Sequence, residues 1–303
     1  YLEWCSGLGL LVVWRCAAPQ QDRELRVIEW ERTPKLRSPV LVTAFEGWND
    51  AGEAATDTID HIRQVWEAEL LGELEPDDYY DFQVTRPHIR IDEQRRSITW
   101  PTTRFYVARG PERDFVLVHG IEPNMRWRAF CADILEVAED LEVALVVNLR
   151  ALLADVPHTR PIPLTGFASD PELISDLGLD QSGYEGPTGI VGVLQQTCDV
   201  AGVPAVSLWA AVPHYVSASP CPKAALALIT RLEDVTATTI ALGELPDEAA
   251  AWQRGVEEMA EEDEEIREYV ERLERARDSE DLTATSGDAI AAEFERYLRR
   301  RKP

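Results

Sequence analysis

The sequence has 303 residues, of which 45% are hydrophobic and 28% are charged, so it can bury a sizeable core without metals or disulfides. Its 55 acidic and 30 basic side chains give a formal net charge of -25, which repels phosphate backbones and anionic lipid headgroups. The composition argues against nucleic acid and membrane partners, and it favours solubility or docking onto a basic patch of another protein.

The start of the chain, residues 1–22, is predicted to be a poorly specified extension. Its apolar run over residues 8–14 has the length of a signal-peptide core, but Glu3 precedes it where a basic region is expected. No later run approaches the roughly 18 to 20 apolar residues of a membrane span. The five cysteines are scattered and form no C-x-x-C pair, which favours a reducing, cytoplasmic location.

Residues 23–245 are predicted to form an α/β core, because short runs rich in Val, Ile and aromatics alternate with segments of helical period. The predicted strands span residues 25–30, 40–45, 79–85, 104–107, 115–119, 143–149 and 205–209. The predicted helices span residues 51–67, 126–139, 170–177, 190–201 and 223–235. Two of the strands are continuously apolar, as expected when both faces are covered. The pattern predicts three layers around a mostly parallel sheet.

Residues 246–303 are predicted to form an acidic helical appendage. Between residues 244 and 282, sixteen Asp or Glu stand against five Lys or Arg, and apolar residues recur at spacings of three and four. This heptad-like stripe, interrupted at Asp263, predicts one long helix. A shorter helix carrying Ile290 and Phe294 is predicted to pair with it as a helical hairpin.

The densest polar loop follows the strand at residues 40–45 and contains Glu46, Trp48, Asn49 and Asp50. Open α/β sheets place ligands at such strand-to-helix loops, where helix N-termini offer free N–H donors. Glu46 is a candidate acid, base or ligand. A structural turn capped by Asn49 or Asp50 explains the same residues.

A second polar loop, with Asp155, His158 and Arg160, follows the strand at residues 143–149. These side chains have the chemistry for general acid–base work or for binding a carboxylate. A proline-stiffened loop held by Arg160 and Asp155 is the structural alternative.

Two further segments carry candidates at strand ends or helix starts. Tyr184 and Glu185 lie in a glycine-rich stretch that lacks the Lys-Ser/Thr pair of a phosphate-binding loop, so helix capping and close packing explain it better. His214, Tyr215 and Lys223 follow the strand at residues 205–209 and are expected to line the same crevice.

Standard hydrolase and metalloenzyme signatures are missing from the sequence, so we expect no metal and no cofactor. The candidate pocket or interface consists of residues at the ends of predicted core strands or at the starts of helices. They are Glu46, Trp48, Asn49, Asp50, Asp155, His158, Arg160, Tyr184, Glu185, His214 and Lys223. Because strand-to-helix loops share the carboxyl edge of a parallel sheet, we expect these loops to converge.

Five blocks in order, at residues 46–52, 120–127, 154–161, 184–190 and 207–215, resemble the proteasome assembly chaperone 2 family, in its actinobacterial form. The resemblance spans roughly residues 25 to 235. It implies a phosphorylase-like α/β core and self-association into small homo-oligomers. For eukaryotic and archaeal relatives it also implies binding to proteasome subunits without catalysis.

Two functions stay open from the sequence. The first is a non-catalytic, protein-binding assembly factor or scaffold, with proteasome subunits as candidate partners. The second is a small-molecule-binding protein or an enzyme, ligase-like or hydrolase-like, that uses a crevice at the carboxyl edge of the sheet.

Overall fold

The computed structural model describes residues 34–92, 95–179, 183, 185–216 and 219–284. The N-terminal extension, the predicted strand at residues 25–30, Tyr184 and the predicted helix after residue 286 lie outside these residues.

The described strands are β1 (Val40–Glu46), β2 (Glu69–Glu73), β3 (His88–Asp92), β4 (Arg95–Thr99), β5 (Arg104–Arg109), β6 (Asp114–Ile121), β7 (Leu145–Ala154), β8 (Leu164–Ala168) and β9 (Ala205–Pro213). The described α-helices are α1 (Ala54–Val65), α2 (Trp127–Asp140), α3 (Pro171–Leu177), α4 (Ile190–Ala201), α5 (Pro222–Thr236), α6 (Leu245–Glu262) and α7 (Glu264–Ala284). Short 3₁₀ helices precede α1 and follow β2, at Ala51–Glu53 and Pro76–Asp78.

The central sheet has seven strands in the order β2-β5-β6-β1-β7-β9-β8. β1 pairs in parallel with β6 and β7, and β7 pairs in parallel with β9. β5 and β8 run antiparallel to their neighbours, so five strands point one way and two the other. The prediction of a mostly parallel sheet in an α/β fold is confirmed.

Helices cover both faces of this sheet. The side chains of β1 alternate between two buried clusters, and each cluster contains helices. Val40, Val42 and Ala44 belong to the cluster that contains the buried faces of α1 and α5. Leu41 and Phe45 belong to the cluster that contains those of α2 and α4. Burying each large side chain contributes about 1.5–3 kcal/mol, which explains why the strands are apolar on both faces.

The predicted strand at residues 79–85 is wrong. Pro76 starts a 3₁₀ helix, the N–H groups of Tyr79 and Tyr80 both donate to the Pro76 carbonyl, and turns follow. Tyr80 is buried, and its hydroxyl donates to the Ile121 carbonyl at 2.9 Å. The aromatic residues therefore anchor a turn against the sheet instead of forming a strand.

Four strands were missed by the sequence patterns: β2, β8 and the separate hairpin of β3 and β4. β2 and β8 are short edge strands, and the apolar residues of the hairpin are exposed instead of facing the core. Edge strands that bury little apolar surface give weak periodic signals.

The C-terminal helices continue directly from the core. Leu245 at the start of α6 is buried in the same cluster as α1 and α5, and Val256 and Ala260 are buried further along. At Asp263 the backbone is extended and the carboxylate accepts the N–H of Glu265 at 2.9 Å, which starts α7. The predicted single long helix is therefore two helices. The boundary of the appendage at residue 246 stays a prediction.

Candidate functional site

The carboxyl ends of the parallel strands meet at one edge of the sheet. β1 and β7 are neighbours at its centre, and the chain continues from β1 towards β6 but from β7 towards β9. This is the point where strand order reverses, which is where open α/β sheets form a crevice. The loop after β1 crosses to β7, since the N–H of Ala151 donates to the Asn49 carbonyl at 2.8 Å.

Asn49 is a structural member of this edge. Its side-chain amide donates to Glu122 Oε1 at 3.0 Å, and the same oxygen accepts the N–H of Ile190 at the start of α4 at 2.8 Å. A Cβ at Gly189 would lie 2.3 Å from Asn49 Nδ2 and 2.8 Å from Glu122 Oε1, so only glycine fits there. Asn49 and Glu122 thus fasten three segments together. Glu122 was not among the predicted site residues, although it lies in a conspicuous turn after β6.

Asp50 is also structural. Its buried carboxylate accepts the N–H of Ala55 at 2.7 Å, the N–H of Thr56 at 3.3 Å and the hydroxyl of Thr56. Burial raises the pKa of Asp50, and these hydrogen bonds act in the opposite direction. The carboxylate therefore satisfies the first free donors of α1, as the capping alternative predicted.

Glu46 lies in a group of its own at the end of β1. Its half-exposed carboxylate is 3.7 Å from His119 Nε2, and His119 Nδ1 is 3.3 Å from Asp60 Oδ1. Through His119, Glu46 is connected to β6 and α1, whereas His158 belongs to another group of side chains. The same edge of the sheet thus carries two separate polar groups.

The second group lies beyond the ends of β7 and β9. His214 Nδ1 is 3.1 Å from Asp155 Oδ1, and the hydroxyl of Tyr269 on α7 donates to that oxygen at 3.0 Å. The N–H of His158 donates to the Tyr215 hydroxyl at 2.7 Å, and His158 Nδ1 is 2.8 Å from the same oxygen. His214, Tyr215 and Tyr269 also make edge-to-face ring contacts. The structure therefore brings together Asp155, His158, His214 and Tyr215, and it adds Tyr269, which was not predicted.

His158 and Lys223 are fixed in place by hydrogen bonds within the protein. His158 is buried, which lowers its pKa, and its Nε2 has no hydrogen-bond partner within the described part of the chain. Lys223 Nζ donates to the His158 carbonyl and, at 2.7 Å, to Gln253 Oε1 on α6. Burial lowers the pKa of Lys223 as well. Neither side chain points freely into an open cleft.

Arg160 fastens α7 to the sheet edge. Its Nε and Nη2 atoms donate to the two carboxylate oxygens of Asp278, each at 2.8 Å, and Nη1 donates to Glu274 Oε1 at 3.2 Å. The hydrogen bonds with Asp278 are the main reason why the pKa of Arg160 is raised above its ordinary value. A bidentate pair of this kind fixes geometry as well as charge.

The remaining candidates do not join these groups. Glu185 is exposed in the loop before α4. Tyr184 lies outside the described residues.

A cleft of about 610 Å³ lies between the loop after β1 and the ends of β7 and β9. Its apolar wall includes Trp48, of which 68% is exposed, and Leu153, of which 58% is exposed. Leu152 and Trp209 extend this wall, and His214 lies at its polar side. A cleft with exposed aromatic and aliphatic side chains suits an apolar group of a binding partner.

Arg150, near the centre of β7, was not among the predicted site residues. It is buried, its guanidinium lies 4.3 Å from the ring centre of Trp209, and burial lowers its pKa to about 10. Its Nε and Nη2 atoms find no hydrogen-bond partner among the residues that the structure describes. A basic residue directly after the apolar run of the predicted strand at residues 143–149 was the available signal.

The side chains described at this edge suit neither thiolate chemistry nor metal binding. Burial raises the pKa of the Cys221 thiol to about 11, so it is not a thiolate at neutral pH. In the described ranges no three His, Cys, Asp or Glu side chains are grouped so as to hold a metal ion, and the absence of a metal stays a prediction. The described helices include none that is long and apolar enough to span a bilayer.

The profile of the PAC2 family matches residues 44–260. A crystal structure of a PAC2 family protein from Streptomyces avermitilis is 57% identical, with a TM-score of 0.73, and the match covers 77% of this chain and 99% of that one. A Mycobacterium tuberculosis proteasome-assembly chaperone homologue is 50% identical, with a TM-score of 0.71 and coverage of 76% and 99%.

The archaeal homologue PbaA of Pyrococcus furiosus is 18% identical, with a TM-score of 0.55 and coverage of 80% and 97%, and it supports the fold alone. Among proteins with curated functions, none matches the sequence. The profile match and the two actinobacterial structures together show that the chain belongs to the PAC2 family.

Proposed function

We propose that this protein is a non-catalytic assembly factor that binds a protein partner through the cleft at the carboxyl edge of its sheet. The observation that carries the proposal is the exposure of Trp48 and Leu153 on the cleft wall. Large apolar side chains exposed side by side in a concave surface are typical of protein-binding sites, and buried tryptophans often dominate the binding energy.

The polar residues at this edge support a binding role over catalysis. Asn49 and Asp50 hold segments of the fold, and Lys223 and Arg160 are paired with residues of α6 and α7. A catalytic acid or base needs access to a substrate proton, whereas the His158 ring is buried.

Proteasome subunits are the partner class we propose, because the Mycobacterium tuberculosis relative is described as a proteasome-assembly chaperone homologue. The net charge of -25 favours a partner whose docking surface is basic around an apolar side chain. A cytoplasmic location and the absence of nucleic acid and membrane partners belong to the same proposal.

The experiment is a binding assay between the purified protein and isolated α- and β-subunits of the Mycobacterium tuberculosis proteasome. We expect Trp48→Ala and Leu153→Asp each to weaken the complex at least about tenfold, the loss typical of a central interface residue. Val200→Asp is the matched control, because Val200 is 80% exposed on α4, away from the cleft. Equal binding by all three variants and the wild type would contradict the proposal.

A small-molecule site or an enzyme is the second candidate, and the pair of His214 and Asp155 at the cleft favours it. Thermal unfolding in the presence of a metabolite library tests this alternative. A ligand that stabilises the wild type and Trp48→Ala but not His214→Ala would support it. If no compound raises the unfolding temperature, the alternative fails and protein binding stands alone.

A further inference from the structure

The guanidinium of Arg150 is a buried cation whose hydrogen-bonding capacity is not used. Only 6% of Arg150 is exposed, and its Nε and Nη2 atoms have no hydrogen-bond partner within the described part of the chain. Burying a charged group without a partner destabilises a fold. An exception of this kind is therefore typical of a site that binds a ligand.

Arg150 lies at the inner end of the cleft. It is two residues before Leu152 on β7, so both side chains lie on the same face of the sheet, and it is opposite Trp209 on β9. Leu152 and Trp209 both line the cleft, and the guanidinium lies 4.3 Å from the ring centre of Trp209. The Trp209 ring, which is only partly buried, thus contacts both the guanidinium and the cleft.

The first turn of α4 faces the same point. Nη2 of Arg150 lies 3.1 Å from the position that a Cβ of Gly192 would take, and Gly192 is the third residue of this helix of 12 residues. A helix N-terminus carries a partial positive charge and suits an anion. One carboxylate is already present, since Glu122 Oε1 accepts hydrogen bonds from Asn49 Nδ2 and from the N–H of Ile190. It leaves Nε and Nη2 of Arg150 unpaired among the residues that the structure describes.

We infer that the inner end of the cleft is an anion site, where Arg150 binds the C-terminal carboxylate of the protein partner. The last apolar side chain of the partner then lies against Trp48 and Leu153 on the cleft wall. The carboxylate reaches Nε and Nη2 by displacing the Trp209 ring. This inference rests on the proposed function, because it names the part of the partner that the cleft takes.

The chemistry of the site matches a carboxylate. A guanidinium presents parallel N–H groups that pair with both oxygens of a carboxylate, and every protein chain ends in such a group. Capture of a chain end is also a recurring mode of peptide recognition. A free carboxylic acid with an apolar body offers the same chemistry, so the experiment has to distinguish these two sources.

Two probes that differ in one charged group test the site. N-acetylphenylalanine carries the carboxylate and the apolar side chain of a chain end, and N-acetylphenylalaninamide has a neutral amide in place of the carboxylate. Isothermal titration calorimetry measures the affinity of each probe for the full chain. We expect the dissociation constant of the acid to be at least about tenfold lower than that of the amide, the effect of a hydrogen bond to a charged group.

Variants assign this preference to Arg150. Arg150→Met should bind the acid and the amide equally, and Arg150→Lys should keep part of the preference, because it retains the charge but not the parallel N–H groups. Arg104→Met is the matched control, since Arg104 pairs with Glu73 at the surface, and it should bind both probes like the wild type. Circular dichroism checks that each variant is folded.

Competition identifies the source of the carboxylate. If the chain end of the partner occupies the site, the acid displaces a bound proteasome subunit, whereas the amide does not. Binding of the acid through Arg150 without displacement of any subunit would overturn the assignment to a chain end and would assign the site to a free carboxylic acid.

Three results would overturn the anion site itself. They are equal affinities for the acid and the amide, an affinity for the acid that is unchanged in Arg150→Met, and failure of the acid to bind at about 10 mM, a concentration that populates even millimolar complexes. The proposed function is tested separately by Trp48→Ala and Leu153→Asp. Subunit binding that depends on Trp48 but not on Arg150 would refute the anion site and leave the proposed function standing.

Discussion

Replacing Arg150 by Met should stabilise the protein, because the guanidinium is buried and its Nε and Nη2 atoms have no hydrogen-bond partner among the described residues. Its pKa of about 10 lies below the usual 12.5, so the charged form is disfavoured in the folded state. At 1.36 kcal/mol for each pKa unit, this difference corresponds to about 3 kcal/mol. The penalty is present in full at pH 7, below both pKa values, and it declines as pH rises through about 10. Loss of the stacking on Trp209 offsets about 1 kcal/mol, which leaves a net gain of about 2 kcal/mol.

Urea unfolding at pH 7, followed by circular dichroism, measures this gain as a higher midpoint with an unchanged slope. Arg104→Met is the matched control, because Arg104 is partly exposed and pairs with Glu73 at the surface. We expect the control to change the free energy of unfolding by less than about 1 kcal/mol. A lower midpoint for Arg150→Met than for the wild type would refute the reasoning, since it would mean that the guanidinium is favourably bound in the folded state.

Two further predictions concern pH. Burial and neighbouring carboxylates raise the pKa of Asp57 to about 6, so stability is lost as pH rises from about 4 to 6. Asp57→Asn should therefore be more stable than the wild type by about 1 to 2 kcal/mol at pH 7 but equally stable at about pH 3.5. A gain in stability that is the same at both pH values would contradict the raised pKa of Asp57 as its cause. Burial lowers the pKa of His158 below 6.5, so stability is lost as pH falls through 6.5 towards the folded value. The urea midpoint of the wild type should fall more than that of His158→Gln between about pH 7.5 and pH 5.5, and parallel curves would disprove it.

The central strands, whose side chains are buried on both faces, were predictable from the sequence. β1, β6 and β7 are covered on both faces, so their residues form continuous apolar runs that stand out without any alignment. β2, β8 and the β3–β4 hairpin lie at edges or in solvent, where no such pattern is required. Tyr79 and Tyr80 show the opposite error, since aromatic residues that favour strands here anchor a turn.

The candidate site was predictable in position but not in the pairing of its residues. Parallel strands place their carboxyl ends at one edge, which locates Glu46, Asp155 and His214 from strand order alone. That Glu46 joins His119, whereas Asp155 joins Tyr269, depends on contacts between residues more than 70 positions apart. Local spacing carries no information about such contacts.

The contacts of α6 and α7 with the sheet edge have a consequence during synthesis. Lys223 depends on Gln253, 30 residues later, and Arg160 depends on Glu274, 114 residues later. Because the ribosome delivers the N-terminal part first, the α/β core emerges while these cations still lack their carboxylate and amide partners. A nascent chain that stalls before residue 253 therefore leaves Lys223 and Arg160 without these partners, and it leaves the apolar cluster of α1 and α5 without the part of α6 that packs on it.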